Sequence, residues 1–131
     1  MSVYVISDLH LSTNADKSME VFGPRWQSYT ERLERNWRAL IEPEDHVIVP
    51  GDISWGLSLE DAIPDLQFLD SLPGQKIIGK GNHDYWWQTL TKINKAFDVY
   101  GIKSIKILYN NSMVVENMIV CGTRGWYNGD K

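Results

Sequence analysis

His46-Val47-Ile48-Val49-Pro50-Gly51-Asp52 sets the frame for the whole chain. A β-branched apolar run without polar alternation reads as a buried strand, and it stops at a glycine and a carboxylate. Toward the N-terminus the arrangement recurs, with Val3-Tyr4-Val5-Ile6 halting at Ser7-Asp8-Leu9-His10. Toward the C-terminus, Lys76-Ile77-Ile78-Gly79 leads into Lys80-Gly81-Asn82-His83-Asp84. Helical spacing fills the intervals. Trp26, Tyr29, Leu33, Trp37, Leu40 and Ile41 recur at three and four, which predicts an amphipathic helix that ends near Pro43. Ser58 is an expected N-cap for a second helix with Leu59, Ala62, Ile63, Leu66, Leu69 and Leu72 on one face, kinked or delayed by Pro64 and stopped by Pro73-Gly74. Trp86, Leu90, Ile93 and Phe97 predict a third helix, facing inward.

Strand, loop and helix repeated three times predict an α/β fold: a parallel βαβαβα unit whose strand-end loops gather at one sheet edge, where ligands bind in such sheets. Beyond Gly101 the pattern changes. The runs Ile105 to Tyr109, Met113 to Val115 and Met118 to Cys121, separated by Asn110-Asn111 and Glu116-Asn117, predict antiparallel strands joined as hairpins.

At 131 residues the chain fits a single domain. Its net charge of -4, from 13 basic and 17 acidic residues, and the absence of a basic stripe along any predicted helix disfavour extended nucleic-acid binding. The single Cys121 excludes an intrachain disulfide and is expected to be a small buried apolar group. No basic segment followed by a long apolar stretch opens the chain, and no run of about 20 apolar residues occurs, so the expected location is cytoplasmic.

The strand ends carry the chemistry. Asp8 and His10 are two residues apart, so in an extended backbone both side chains would point the same way and grip one ion. Asp52 has two carboxylate oxygens and can bridge two cations, and Asn82 suits a second cation without adding charge. His83 is left free for substrate, with Asp84 expected to accept its ring proton and fix the tautomer. Taken singly, Asp8, Asp52 and Asp84 each read as a turn or helix cap. Their delivery to one sheet edge together with His10, Asn82 and His83 favours a metal site.

The ordered set Asp8-Leu9-His10, Gly51-Asp52 and Gly81-Asn82-His83-Asp84 resembles the calcineurin-like metallophosphoesterases, in particular a small bacterial branch. The resemblance implies that residues 1–131 form the N-terminal half of a four-layer α-β-β-α sandwich, a single domain truncated at its C-terminus. It implies metal-dependent hydrolysis of phosphate mono- or diesters by a hydroxide bridging two divalent ions, Mn, Fe or Zn. Asp8 and His10 would hold the first ion, Asp52 would bridge, Asn82 would hold the second, and His83 would assist catalysis with Asp84 behind it. Arg124 is a candidate phosphate clamp. The implied substrate is a small phosphate ester or a nucleotide.

The sequence departs from the family pattern in its histidines. Relatives complete the site with three more, an isolated one and a Gly-His-x-His pair after the Gly-Asn-His motif, whereas His10, His46 and His83 are all that this sequence holds. Only the first metal site is therefore nearly complete, and an impaired or purely metal-binding interaction domain is the alternative reading. An oligomer or a further C-terminal segment is expected to cover the open sheet. Gly79-Lys80-Gly81 lacks the spacing of a nucleotide-binding glycine loop.

Overall fold

The computed structural model describes residues 1–13 and 18–123. Four parallel strands, β1 (Val3–Val5), β2 (His46–Val49), β3 (Gln75–Ile78) and β4 (Ile105–Ile107), form one sheet in the order β1-β2-β3-β4. A separate antiparallel pair, β5 (Asn111–Val115) and β6 (Met118–Gly122), closes on a two-residue turn with Glu116 at φ 54°. Three helices, α1 (Tyr29–Leu40), α2 (Leu59–Ser71) and α3 (Leu90–Tyr100), supply the crossovers. Right-handed crossovers that advance in one direction put every helix on the same sheet face. The packing follows suit. Val47, Val49, Ile78, Ile105 and Ile107 join Trp37, Leu66, Leu69, Ile93 and Phe97 in the main core, whereas Ile77 belongs to a smaller cluster with Leu108 and Val115, flanked by Val3 and Ile48.

The sequence anticipated β1 to β3 and the connecting helices, and the details shift for identifiable reasons. The run from Ile105 is a fourth parallel strand and not the arm of a hairpin, because α3 is the crossover that feeds it; the hairpin is confined to β5 and β6. The first helix begins at Tyr29, with Trp26 in a preceding 3-10 turn, Pro24–Trp26. Leu40 is exposed, since it lies about 60° around the helix from the Trp37 to Ile41 stripe. Ser58 caps α2 as predicted, its hydroxyl accepting from the Asp61 N–H at 3.1 Å, but α2 runs unbroken through Pro64, held by the burial of Ile63, Leu66 and Leu69. α3 starts at Leu90 on a Thr89 cap, and Trp86 is fully buried ahead of it.

Two further expectations are corrected. β1 is an edge strand and not a doubly buried one, with Val5 66% and Ile6 36% exposed. Cys121 is exposed. Lys76 is fully buried within β3, where its ammonium donates to the carbonyls of Asp70, Leu72 and Gly74 at the C-terminal end of α2. Burial lowers its pKa to about 8, opposed by the Asp70 charge. No helix among the described residues is long and apolar enough to cross a membrane.

Candidate metal centre

Pairing between β1 and β2 continues past the strands into their loops. Asp8 N–H donates to the Gly51 carbonyl, His10 N–H to Asp52, Leu11 N–H to Ile53, and Trp55 N–H back to Leu11. The path is not extended. Asp8, His10 and Asp52 sit at φ 62°, 47° and 52°, in the left-handed region that L-residues other than Asn and Asp rarely visit. Three candidate ligands thus share an unfavourable backbone, of the kind that costs about 1–3 kcal/mol per residue and concentrates at functional sites. The extended geometry expected to aim Asp8 and His10 together is therefore replaced by two left-handed turns.

Asp84 holds this arrangement. Its Oδ2 accepts from the N–H groups of Asp52 at 2.8 Å and Gly81 at 2.7 Å, and its Oδ1 from Ile53 at 2.8 Å, Ser54 at 3.3 Å and the Trp86 indole at 3.0 Å. One buried carboxylate thereby satisfies four backbone donors on two loops. Burial pushes the Asp84 carboxyl above the ordinary carboxylate range, opposed by the N–H groups of Gly81, Ile53 and Ser54 and by the Trp86 indole. Asp84 is consequently a positioning residue, and the expectation that it orients His83 is corrected. The His83 ring finds Asp52 instead: Nδ1 lies 3.1 Å from Asp52 Oδ2, and the His83 N–H donates to Oδ1 at 2.9 Å.

The loops approach so closely that side chains are excluded. A Cβ on Gly81 would fall 2.2 Å from Asp52 Oδ1, and one on Gly51, itself at φ 154°, would fall 2.5 Å from the Gly81 nitrogen. The glycines that precede Asp52 and Asn82 are thus what lets the second loop reach the first.

His10, Asp52 and His83 each present a ligand atom within 4.8 Å of the other two, and His10 Nε2 lies 3.6 Å from Asp52 Oδ2. Two imidazoles and a carboxylate form a donor set suited to Mn, Fe or Zn, so these residues fit a divalent cation. His83, expected to be free for substrate, stands within this group with its Nδ1 engaged by Asp52, and its side chain is 35% exposed. Asp8 stands outside the group, exposed on the same loop as His10, and Asn82 is exposed beside His83. Arg124 lies outside the described residues. His46 pairs with Glu116 at 3.0 Å, far from a ligand role.

Aromatic residues cluster around the motifs in the sequence, where core packing is the favoured reading; one of them, Trp55, instead packs on the site. Trp55 stacks on His10 with ring centroids 4.9 Å apart at 22° and lies 4.8 Å from the His83 ring, although its place after Asp52 gave no sign of where it faced. Tyr29, expected to face the core, donates its hydroxyl to the His10 carbonyl at 2.7 Å and ties the start of α1 to that turn. Ser54 and the Thr13 N–H satisfy the buried Asp65 of α2.

Among solved structures, the chain is similar to a protein of unknown function, AQ665, from Aquifex aeolicus, at 21% identity and a TM-score of 0.55. The match covers 91% of this chain and 58% of that one, and at this identity it speaks to the fold alone. No curated protein matches. The family profile of the calcineurin-like phosphoesterases matches residues 1–128. With these three strand-end motifs meeting at one edge of a parallel sheet, the chain belongs to the calcineurin-like phosphoesterase family.

Proposed function

We propose that this chain hydrolyses phosphate mono- or diesters with a divalent metal, Mn, Fe or Zn, held at the β1 and β2 loop ends. The convergence of His10, Asp52 and His83, the first two on left-handed backbone turns, is the observation that carries this reading. His10 and Asp52 would hold the cation, with Asp8 and Asn82, exposed on the flanking loops, as further oxygen ligands. A bound cation would supply Lewis-acid polarisation of the phosphoryl group and lower the pKa of a water, so that its proton passes to solvent and hydroxide is available to attack phosphorus.

The chain's own residues do the rest. Asp52 fixes the His83 ring through Nδ1, leaving Nε2 to protonate the leaving alkoxide as the ester P–O bond breaks and water oxygen joins phosphorus. Asp84 keeps the Asp52 and Gly81 turns in register, and Trp55 shields one face of His10 from water. With Mn²⁺, turnover of bis-p-nitrophenyl phosphate or p-nitrophenyl phosphate is expected, falling at least 100-fold in Asp52→Asn and about 10²–10⁴-fold in His83→Gln. A wild-type rate no higher than that of Asp52→Asn would sink the hydrolase reading. A second reading, a domain that binds one ion without turnover, is favoured by the engagement of His46 with Glu116, which leaves two of the three histidines for the site. It would show as metal-dependent thermal stabilisation lost in Asp52→Asn, with no hydrolysis.

A further inference from the structure

A cleft of about 460 Å³ opens between the loop that leads from β1 to His10 and the start of α1, within the size range of small-ligand sites. Asp8, two residues before His10, lines it on the loop after β1; Arg25, Trp26, Tyr29, Arg32 and Asn36 line it from the 3-10 turn and α1. The charge on that wall is out of keeping with the chain. Net charge overall is -4, yet two of the five arginines, Arg25 and Arg32, line this one cleft. Arg38 pairs with Glu34, and Glu20 is engaged with the Ser28 N–H. Among the described residues no carboxylate pairs with Arg25 or Arg32.

The two arginines differ in how they are held. Arg32 donates to the carbonyls of Gln27 and Arg25, so its guanidinium is fixed into the wall and the 3-10 turn is braced against α1. Arg25, exposed on that turn, has no acidic partner among the described residues. Next to it Trp26 packs edge to face on Tyr29, ring centroids 5.5 Å apart at 83°. Tyr29 in turn donates to the His10 carbonyl, so the wall and the metal turn form one connected unit. Unneutralised guanidinium groups next to a half-buried indole are the elements that recognise a phosphate and a planar base together.

We propose that this cleft takes the organic half of the phosphate ester, and that the ester is a nucleotide carrying a second phosphate. The reacting phosphate lies at the Asp8 end, the second phosphate at Arg25 with Arg32 behind it, and the base against Trp26. This assignment rests on the phosphoesterase reading for which phosphate reacts; the recognition of base and second phosphate stands on the wall alone. Asp8 repels an anion when no cation is bound, whereas the arginine end does not, so binding through the wall persists without metal.

The test is therefore calorimetric titration of the full chain in EDTA with adenosine 3′,5′-bisphosphate and, separately, adenosine 5′-monophosphate. The bisphosphate is expected to bind about tenfold tighter than the monophosphate. Arg25→Gln and the charge reversal Arg25→Glu should abolish that preference, and Trp26→Leu should weaken both ligands about tenfold or more. Arg35→Ala, outside the cleft, controls for general loss of positive charge, and equal thermal midpoints exclude misfolding. Equal affinity for the two nucleotides, or a preference untouched by both Arg25 variants, overturns the proposal. Absence of ester turnover with Mn²⁺ overturns the hydrolase reading instead, so the two failures are told apart.

Discussion

Asp84 shows how much of a candidate metal centre depends on a residue outside its ligand group. Its two carboxylate oxygens accept the N–H groups of Asp52, Ile53, Ser54 and Gly81, donors that the left-handed turns aim inward and that have no other partner in the ladder. An amide offers one acceptor oxygen and brings donors of its own against those N–H groups. Asp84→Asn thus leaves buried donors unpaired, at about 1–3 kcal/mol each. The expected outcome is a loss of about 3 kcal/mol by urea denaturation together with loss of Mn²⁺-induced thermal stabilisation. A variant as stable as the parent would refute the positioning role. At this scale the sequence was half legible. It named Asp84 as a partner of the site but aimed it at His83, because adjacency in sequence does not say which way a side chain turns once the backbone leaves the extended region.

Element by element, short polar ties fix where each crossover begins and ends. Asp70, in the last turn of α2, accepts from the Ser104 hydroxyl at 2.6 Å and from the N–H groups of Ser104 and Lys103, which sets the approach to β4. Burial alone would raise its pKa. The Ser104 hydroxyl and the Ser104 and Lys103 N–H groups outweigh that effect, and the carboxyl is held below its ordinary value. A carboxyl depressed in the folded state contributes stability that is fully present above its unfolded pKa of about 3.9 and lost as pH falls through the lower folded value. Asp70→Asn should therefore lower the urea midpoint at pH 7, and the gap from wild type should narrow below about pH 4. A gap that stays constant across that range contradicts the linkage. Helices and their caps were readable from spacing, as at Ser58. The direction of β4 was not, because a short apolar run looks the same in parallel and antiparallel pairing.

For the whole molecule, the one-directional strand order places all three helices on one sheet face and leaves the other to the β5-β6 hairpin. The hairpin clusters with Ile77 and Ile48 but leaves Val5 exposed, and Val5, Ile6 and Leu40 line an apolar groove of about 310 Å³ along the free edge of β1. A free edge beside apolar surface, with no lysine or proline in β1 to block it, is a template for pairing. Concentration-dependent self-association is expected in sedimentation velocity, and Val5→Lys should reduce it without lowering the thermal midpoint. A wild-type chain that stays monomeric at about 100 µM, the upper end of usual working concentrations, would contradict the inference from the edge.

The sequence alone determined the alternation of strands and helices, the edge of the sheet at which chemistry gathers, and the residue types present there, because period, punctuation and strand-end motifs are local properties. Only the tertiary structure decided that Asp8, His10 and Asp52 take left-handed turns, that Asp84 serves four backbone groups while Asp52 serves His83, and that arginines from a 3-10 turn and a helix line one cleft with Asp8. Those outcomes depend on which loops can approach one another, and the approach is set by two glycines with no room for a Cβ and by a buried carboxylate that must satisfy every donor within reach.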